Sequence, residues 1–426
     1  MEKIAIIGLG YVGLPLACLC AKKGYDVGGF DLNEEKVRLI NAGNSPIKDQ
    51  YVEENLKAAA GRLKASSNAG EALKGATIAI ICVPTPAVGD KPDLSFVESA
   101  CRMLAPFVSK GELVIMESTV YPGTTEEIAL PILEKGSGLS AQKDFFLGHC
   151  PERIDPGNKK FTIEKIPRVL ACLSPKGNEK AKRFYSTIID AEITVLGSVK
   201  AAEAVKVVEN TFRDVNIAFV NELAESFDKM GIDLSEVIKG ASTKPFGFMP
   251  FYPGPGVGGH CISQDPYYLI ARSESAGFEP KFLKLARHIN EAMPSYVVSL
   301  VEAMLAKMNI MPGNAMVAVL GLAYKPEVDD PRESPALKIV SLLKQKGIKV
   351  KTFDPFIKKE SNANSAAEAI AGADCVVLAT HHKALIEFLS PARLEKSGVK
   401  AIVDARNALD RDGIRGKGIL FKGIGR

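Results

Sequence analysis

The chain has 426 residues, of which 46% are hydrophobic and 24% charged, and its formal net charge is +4. That length allows two or three domains with ample cores, and so small a positive balance without a long basic run argues against nucleic acid as the main partner. The apolar runs are strand-sized, so no transmembrane helix is expected, and the opening MEKIAIIG enters a strand at once, leaving no room for a signal peptide.

In chain order, KIAIIG reads as a strand leading into a glycine turn and an apolar helix through Leu19. YDVGGFD is a second strand. TIAIICVP, ELVIMES, DFFLGHC, PRVLACLS and ITVLG follow, mostly separated by helical stretches. This alternation predicts a parallel sheet with helices on both faces. Near residue 198 the pattern changes. KAAEAVKVVENTFRDVNIAFVNELAESFDKMG has no breaker for about eight turns. Val205, Val208, Phe212, Val215, Phe219 and Leu223 recur at spacings of three and four and make one apolar stripe. The helix reads as a spine joining domains and as a dimer face.

A second helical region runs from about Lys281 to Met308, broken or kinked near Pro294. After NIMPGN the α/β alternation returns. AMVAVLGLAYK, SPALKIVSLLKQKG and IKVKTFDP form a strand–turn–helix–strand unit, and ADCVVLAT and AIVDARN add strands. This segment echoes the first, with a strand ending in Asp354 where the first has Asp31. The expected architecture is α/β, with two Rossmann-like domains joined by a central helical domain, divided as 1–197, 198–311 and 312–426. The eight cysteines are scattered without a CxxC pair, so neither a zinc site nor a disulfide framework is expected. Most read as small buried hydrophobes in a protein of the reducing cytoplasm, with no metal.

GLGYVG places Gly8, Gly10 and Gly13 between an apolar strand and a helix, and Asp31 ends the next strand at about the expected 20-residue interval. Gly8 suits a tight turn, Gly10 a backbone approach to a pyrophosphate, and Gly13 close helix–strand packing. The helix N-terminus then meets the phosphate charge. Asp31 can accept from a ribose 2′-OH and would repel a 2′-phosphate, so the expected cofactor is NAD. On the spine helix, Lys206 and Asn210 stand at i and i+4, with Arg213 close to one turn further. A Lys and an Asn presented together suit a substrate hydroxyl or a developing oxyanion. From spacing alone, a solvated helix face is the commoner explanation.

GPGVGGHCISQDPYYL surrounds Cys261 with little side chain: Gly258, Gly259 and His260 precede it, and Asp265 follows. Glycines permit close backbone approach. An accessible thiolate attacks carbonyl carbon well, and a nearby carboxylate serves as base or water holder. The alternative is a buried structural cysteine in a turn. His260 reads as a turn residue, and His381 and His382 as a surface loop. In GLAYKPEVDDPRESPA only one of the three dinucleotide glycines is present, so a second dinucleotide is not expected. Lys325 and Arg332 offer cations for a diphosphate. A loop salt-bridged through Glu327, Asp329 and Asp330 fits the composition equally.

Together, GLGYVGLP, VPTP, ESTVYPGTT, PERIDPGN, AEAVKVVENTFRDVNIAFVNE, KPFGFMPFYPGPGVGGHCISQDPYYL and GLAYKPEVDDPRESPA resemble the UDP-glucose/GDP-mannose dehydrogenase family, most closely its UDP-N-acetylhexosamine 6-dehydrogenase branch. The resemblance spans essentially the whole chain. It implies NAD-dependent four-electron oxidation of C6 of a UDP-sugar through a cysteine thiohemiacetal and thioester. It makes Cys261 the nucleophile, Lys206 and Asn210 the oxyanion-stabilising pair, and Asp265 the carboxylate assisting water or proton transfer. Glu152 matches the glutamate of thioester hydrolysis and Thr119 a water-positioning threonine. Gly8, Gly10, Tyr11, Val12, Gly13, Asp31, Lys36, Thr85 and Thr119 match cofactor contacts. Phe251, Tyr252, Gly256, Gly259, Lys325 and Arg332, with Arg153 and Arg213 from the N-acetylhexosamine branch, match UDP-sugar contacts alongside Glu152, Lys206 and Asn210.

The branch usually reads GGHCIxVDP, where this chain has Ser263 and Gln264, and the UDP-glucose enzymes read GGxCxPKD. TKPFGFMPFYPGPG most resembles enzymes acting on UDP-N-acetylglucosamine, with UDP-N-acetylmannosamine the nearest competitor and UDP-glucose next. The long spine helix suggests a homodimer through the central helices, with higher assemblies open, and a cytoplasmic protein without membrane insertion is expected. Two other functions compete: a two-electron dehydrogenase of the β-hydroxyacid type, and a non-catalytic NAD-binding scaffold.

Overall fold

Short runs of branched apolar residues, closed by glycine or polar turn formers, become strands buried on both faces; IAII at Ile78–Ile81 is one, with all four residues buried. The computed structural model describes residues 2–47, 50–89, 91–154, 161–259 and 262–426. His260 and Cys261 therefore lie outside the described residues. The chain divides into two compact units, Met1–Glu209 with Tyr267–Glu279, and Asn210–Pro266 with Pro280–Arg426.

The first unit is built on eight strands: β1 (Lys3–Ile7), β2 (Asp26–Phe30), β3 (Leu63–Ser66), β4 (Ile78–Ile81), then, beyond a two-residue-per-strand hairpin of β5 (Ala87–Val88) and β6 (Lys91–Pro92), β7 (Leu113–Met116), β8 (Phe146–His149), β9 (Arg168–Cys172) and β10 (Ile193–Val195). Their order is β10-β9-β8-β7-β4-β1-β2-β3. Strand β3 was not expected: Leu-Lys-Ala-Ser carries one strong apolar residue and no alternation. The sheet is parallel except for β8 against β9. Among the described residues, the connection from His149 to Arg168 holds only a short 3-10 turn, Ile163–Lys165.

The strand order reverses at β1 and β4, which places the crevice of a doubly wound fold outside their carboxyl ends.

The second unit repeats the device. Strands β11 (Met316–Leu320), β12 (Lys349–Phe353), β13 (Cys375–Leu378), β14 (Ala401–Asp404) and β15 (Leu420–Gly423) form a wholly parallel sheet in the order β12-β11-β13-β14-β15. The echo between the two segments holds bond by bond. Gly8 N–H donates to Phe30 O at 2.8 Å, and Gly321 N–H to Phe353 O at 2.9 Å. Cys82 N–H donates to Ile7 O at 2.8 Å, and Ala379 N–H to Leu320 O at 2.9 Å. Both turn glycines have positive φ, 94° and 83°. A Cβ on either would strike the next strand's exit, 2.7 Å from Cys82 O and 2.3 Å from Thr380 O.

The spine helix runs unbroken from Val199 to Met230 and passes from the first unit to the second at Glu209–Asn210. Half of its expected apolar stripe is outward: Val208, Phe212 and Phe219 are about half exposed (51%, 48% and 54%), while Val205, Val215 and Leu223 are half-buried. The buried residues include polar ones, each with a partner from a distant stretch of its own unit. Glu203 accepts from the N–H groups of Gly123 (2.5 Å) and Thr125 (2.7 Å). Asp214 accepts from Arg287 Nη1 (2.7 Å) and Asn290 Nδ2 (2.8 Å), and Asn221 donates to Asn290 Oδ1 (2.9 Å).

The helix Lys281–Lys307 is continuous through Pro294, so the expected break is absent. Proline leaves the carbonyl of Asn290 without its helical donor. Gly256 fills the niche: a Cβ there would sit 3.0 Å from Asn290 O and 3.5 Å from Pro294 Cδ.

Arg287→Leu should leave Asp214 a buried carboxylate without its cation and cost about 3 kcal/mol or more in urea unfolding. The matched exposed change Arg38→Leu should cost under about 1 kcal/mol.

Candidate active site

Most of the expected cofactor residues, together with Glu152 of the expected catalytic set, converge on one edge of the first sheet. Gly8, Gly10, Tyr11, Val12 and Gly13 follow β1; Asp31 follows β2; Thr85 follows β4; Thr119 follows β7; Glu152 follows β8. Parallel strands point all their carboxyl ends the same way, so five stretches distant in sequence share one rim.

The three turn glycines do different jobs. Gly8 is pressed against Cys82, and a Cβ on Gly13 would lie 1.9 Å from Gly8 O. Both make room for the protein's own backbone. Around the position of a Gly10 Cβ there is nothing within 4 Å. That open side, at the start of the helix Gly13–Lys22 with no acidic residue in its first turn, fits a pyrophosphate. Asp31 is held in place: its Oδ2 accepts from Leu9 N–H (3.0 Å), its Oδ1 from Asn33 N–H (2.9 Å), and Lys36 Nζ stands 3.4 Å away. Oδ1, which takes a single donor, has a further lone pair for a ribose hydroxyl. The residues present thus fit NAD.

Glu152 is buried and tied down. Its Oε1 accepts from the N–H groups of Arg153 (2.6 Å) and Ile154 (2.8 Å). Arg153 itself is ion-paired with Glu209 at 2.5 Å. Thr119 and Lys206 are half-buried, Lys206 on the spine helix.

Four residues beyond Lys206 on that helix, and inside the second unit, Asn210 donates to Asp265 Oδ2 at 2.5 Å. Both are buried, at 6% and 4% exposure, which decides against a solvated helix face for Asn210. The Gly254–Gly259 stretch leading to Cys261 is fixed by backbone contacts in the same unit. Gly254 N–H donates to Asn221 Oδ1 (2.9 Å), and Gly259 N–H to Arg332 O (3.2 Å). Side chains on Gly258 or Gly259 would collide with Tyr324, whose neighbour is Lys325. Ser263 Oγ donates back to Gly259 O. Phe251 meets Phe212 edge to face with ring centroids 5.9 Å apart. Tyr252 and Arg213 are exposed.

Residues 2–189 match the NAD binding domain of the UDP-glucose/GDP-mannose dehydrogenase family, residues 200–292 its central domain and residues 318–411 its UDP binding domain. The UDP-N-acetyl-D-mannosamine dehydrogenase of Pyrococcus horikoshii is 40% identical over 100% of this chain and 99% of its own length. The chain belongs to the UDP-glucose/GDP-mannose dehydrogenase family. The UDP-N-acetyl-D-glucosamine 6-dehydrogenase of Pseudomonas aeruginosa is 42% identical over 84% of each protein. The solved structure of a UDP-D-ManNAc dehydrogenase from Pyrococcus horikoshii superimposes with a TM-score of 0.93 at 39% identity, covering 100% of this chain and 99% of that one. An NDP-N-acetyl-D-galactosaminuronic acid dehydrogenase from Methanosarcina mazei Go1 gives 0.87 at 31% identity, covering 100% and 95%.

Within this dehydrogenase family chain, the second Rossmann-like unit has closed the position that the first leaves available. Asp354 corresponds to Asp31, but it is fully buried and accepts from Leu322 N–H (2.5 Å), Ala323 N–H (2.9 Å) and His382 Nε2 (3.0 Å). These hydrogen bonds hold its carboxyl down at about 2 against the opposing effect of burial. His382, expected on a surface loop, is therefore a core residue; its Nδ1 accepts from Glu327 N–H at 3.0 Å. Arg332 is exposed and paired with Asp330 at 2.6 Å, as the salt-bridge alternative required.

Two further arginines, the buried Arg168 and the half-buried Arg406, escaped the sequence analysis. Arg168 contacts Glu152 and Glu117, and Arg406 donates to Ala379 O and lies against Gly254. Each sits at a strand end, where charge alone gives no sign of burial.

Gly10→Ala should leave the melting temperature of the protein without cofactor unchanged and weaken NAD binding by at least about tenfold in calorimetry. Gly13→Ala should instead destabilise the fold itself by about 1–3 kcal/mol.

Proposed function

We propose that this protein oxidises C6 of a UDP-N-acetylhexosamine to the carboxylate, in two successive two-electron steps at one site. Within the chain we assign residues 1–197 to cofactor binding, 198–311 to the catalytic and dimerising helices, and 312–426 to the nucleotide sugar. NAD, held by Gly8, Gly10, Tyr11, Val12, Gly13, Asp31, Lys36, Thr85 and Thr119, would supply the hydride acceptor, a fresh molecule for each of the two oxidations.

Lys206 and Asn210 hold the C6 oxygen and stabilise the negative charge it gains as its proton leaves. With the C6 hydride passed to a first NAD, the thiolate of Cys261 would add to the resulting aldehyde carbon and the oxygen take up a proton, giving a thiohemiacetal placed to lose its C–H hydride to a second NAD that has replaced the NADH. Loss of the second hydride leaves a thioester. Water, oriented by Glu152 and Thr119, adds to its carbon. The C–S bond breaks, the sulfur leaves with the electron pair, and the water's protons pass to the sulfur and to solvent. Asp265 orients Asn210 and serves proton transfer. Phe251, Tyr252, Gly256, Gly259, Lys325, Arg332, Arg153 and Arg213 bind the UDP-sugar.

The observation that carries this reading is the buried Asn210–Asp265 hydrogen bond. It joins the spine helix to the segment that follows Cys261, two parts of the expected constellation that lie 55 residues apart in sequence. The loop TKPFGFMPFYPGPG favours UDP-N-acetylglucosamine as the sugar. UDP-N-acetylmannosamine is the second reading, favoured by the Pyrococcus horikoshii relative that matches along the whole chain. The exposed Val208, Phe212 and Phe219 support a homodimer through the spine helix. The seven described cysteines are free thiols, which suits the cytoplasm. Among the described residues, no helix is long and apolar enough to cross a membrane.

NADH yield and rate with UDP-N-acetylglucosamine, UDP-N-acetylmannosamine, UDP-N-acetylgalactosamine and UDP-glucose side by side test the assignment. Two NADH per sugar are expected, with the glucosamine derivative fastest, and Cys261→Ala should yield no acid. One NADH per substrate with no sensitivity to thiol alkylation would indicate a β-hydroxyacid-type dehydrogenase. NAD binding without NADH from any of the four would indicate a scaffold.

A further inference from the structure

Behind Glu152 lies a charged cluster that the proposed mechanism does not use. Arg168, at the start of β9, has no exposed surface. Its Nη2 stands 2.5 Å from Glu152 Oε2 and its Nη1 3.5 Å from Glu117 Oε2. These are charge contacts without aligned N–H···O geometry, since none of the three guanidinium nitrogens makes a directed hydrogen bond. Glu117, at 1% exposure, takes a hydrogen bond from Tyr185 Oη at 2.5 Å on its other oxygen. One buried cation is thus shared by two buried carboxylates, which it cannot neutralise together.

We propose that Arg168 and Glu117 are positioning residues for Glu152: Arg168 holds the Glu152 carboxylate, and the protonation state of Glu117 sets how much of that hold Glu152 receives. The proposal rests on the reading of Glu152 as the residue that orients water for thioester hydrolysis. With Glu117 neutral, the guanidinium answers to Glu152 alone. With Glu117 ionised, it is divided between two carboxylates and Glu152 is freer to take a hydrogen bond from water. Burial pushes the Glu117 carboxyl up to about 7, with Arg168 and Tyr185 opposing the rise and Glu152 adding to it. The titratable groups facing Glu117 are Arg168, Glu152, Tyr185, Cys20, Cys82 and Cys150. Burial keeps all three thiols neutral, with values raised far above the ordinary range. Glu117 is therefore a member of the cluster whose charge changes near neutral pH. Thioester breakdown should quicken as pH rises through that region.

The test is single-turnover oxidation with excess NAD and the UDP-N-acetylhexosamine that the protein oxidises fastest. Reactions are quenched between about pH 6 and pH 8, and the Cys261 acyl-enzyme is quantified by intact mass spectrometry. Glu117→Gln keeps the shape and the Tyr185 bond but stays neutral. It should abolish the rise of thioester breakdown with pH and accumulate acyl-enzyme at the upper end. Tyr185→Phe removes a hydrogen bond that favours ionised Glu117, so the midpoint of the rise should move to higher pH.

Glu152→Gln separates the two ideas. If it slows breakdown by roughly a hundredfold while Glu117→Gln and Tyr185→Phe both keep the parent pH profile, the positioning proposal falls and the role of Glu152 stands. If Glu152→Gln breaks down thioester like the parent, the role of Glu152 itself is wrong, and the proposal falls with it.

Discussion

The site depends on two places where backbone runs against backbone with no side chain between. At the exit of β1, Gly8 lies so close to Cys82 that a single carbon would not fit, and Gly13 lies equally close to Gly8. That packing draws the first helix down onto the sheet and leaves its N-terminus facing the crevice where the strand order reverses. Everything placed on the rim, from Asp31 to Glu152, is positioned relative to this crossing by the register of parallel strands.

The second unit carries the same crossing at Gly321 and Thr380, with the same pair of backbone hydrogen bonds. Its fate differs through one side chain. Asp31 accepts two backbone donors and stays at the rim of its crevice. Asp354 also takes the imidazole of His382 and has no exposed surface on its side chain. A ribose hydroxyl cannot displace partners that are themselves buried without leaving them unsatisfied. The duplicated architecture has thereby been committed to a different ligand class, and its loop of residues 321–334 instead braces the glycine stretch before Cys261 through Gly259 and Tyr324.

The spine helix inverts the usual expectation for an amphipathic helix. Its inner residues include Glu203, Asn210, Asp214 and Asn221, all buried, while Val208, Phe212 and Phe219 of its apolar stripe face outward. Buried polar groups are tolerated only with partners, and here the partners are specific: helix-start amides for Glu203, Arg287 for Asp214, Asp265 for Asn210, Asn290 for Asn221. Such pairs fix rotamers and register more tightly than aliphatic packing does.

The sequence by itself determined the α/β class, the repeated strand–turn–helix pattern and the long helix, because each rests on local periodicity and on glycines whose spacing is legible without coordinates. It also named Asp31 and the glycine turn, which are neighbours along the chain or separated by one supersecondary unit. The antiparallel return of β9, the weak strand β3, the unbroken helix at Pro294 and the burial of His382 came only with tertiary structure. Each depends on what another segment supplies: pairing with β8, a neighbouring strand, a glycine over a freed carbonyl, a carboxylate at the end of β12. The Arg168 cluster is the clearest case. Nothing in PRVLACLS distinguishes an arginine at a strand's start from a solvated one, and only the fold brings Glu117 and Glu152 from two other strand ends to meet it.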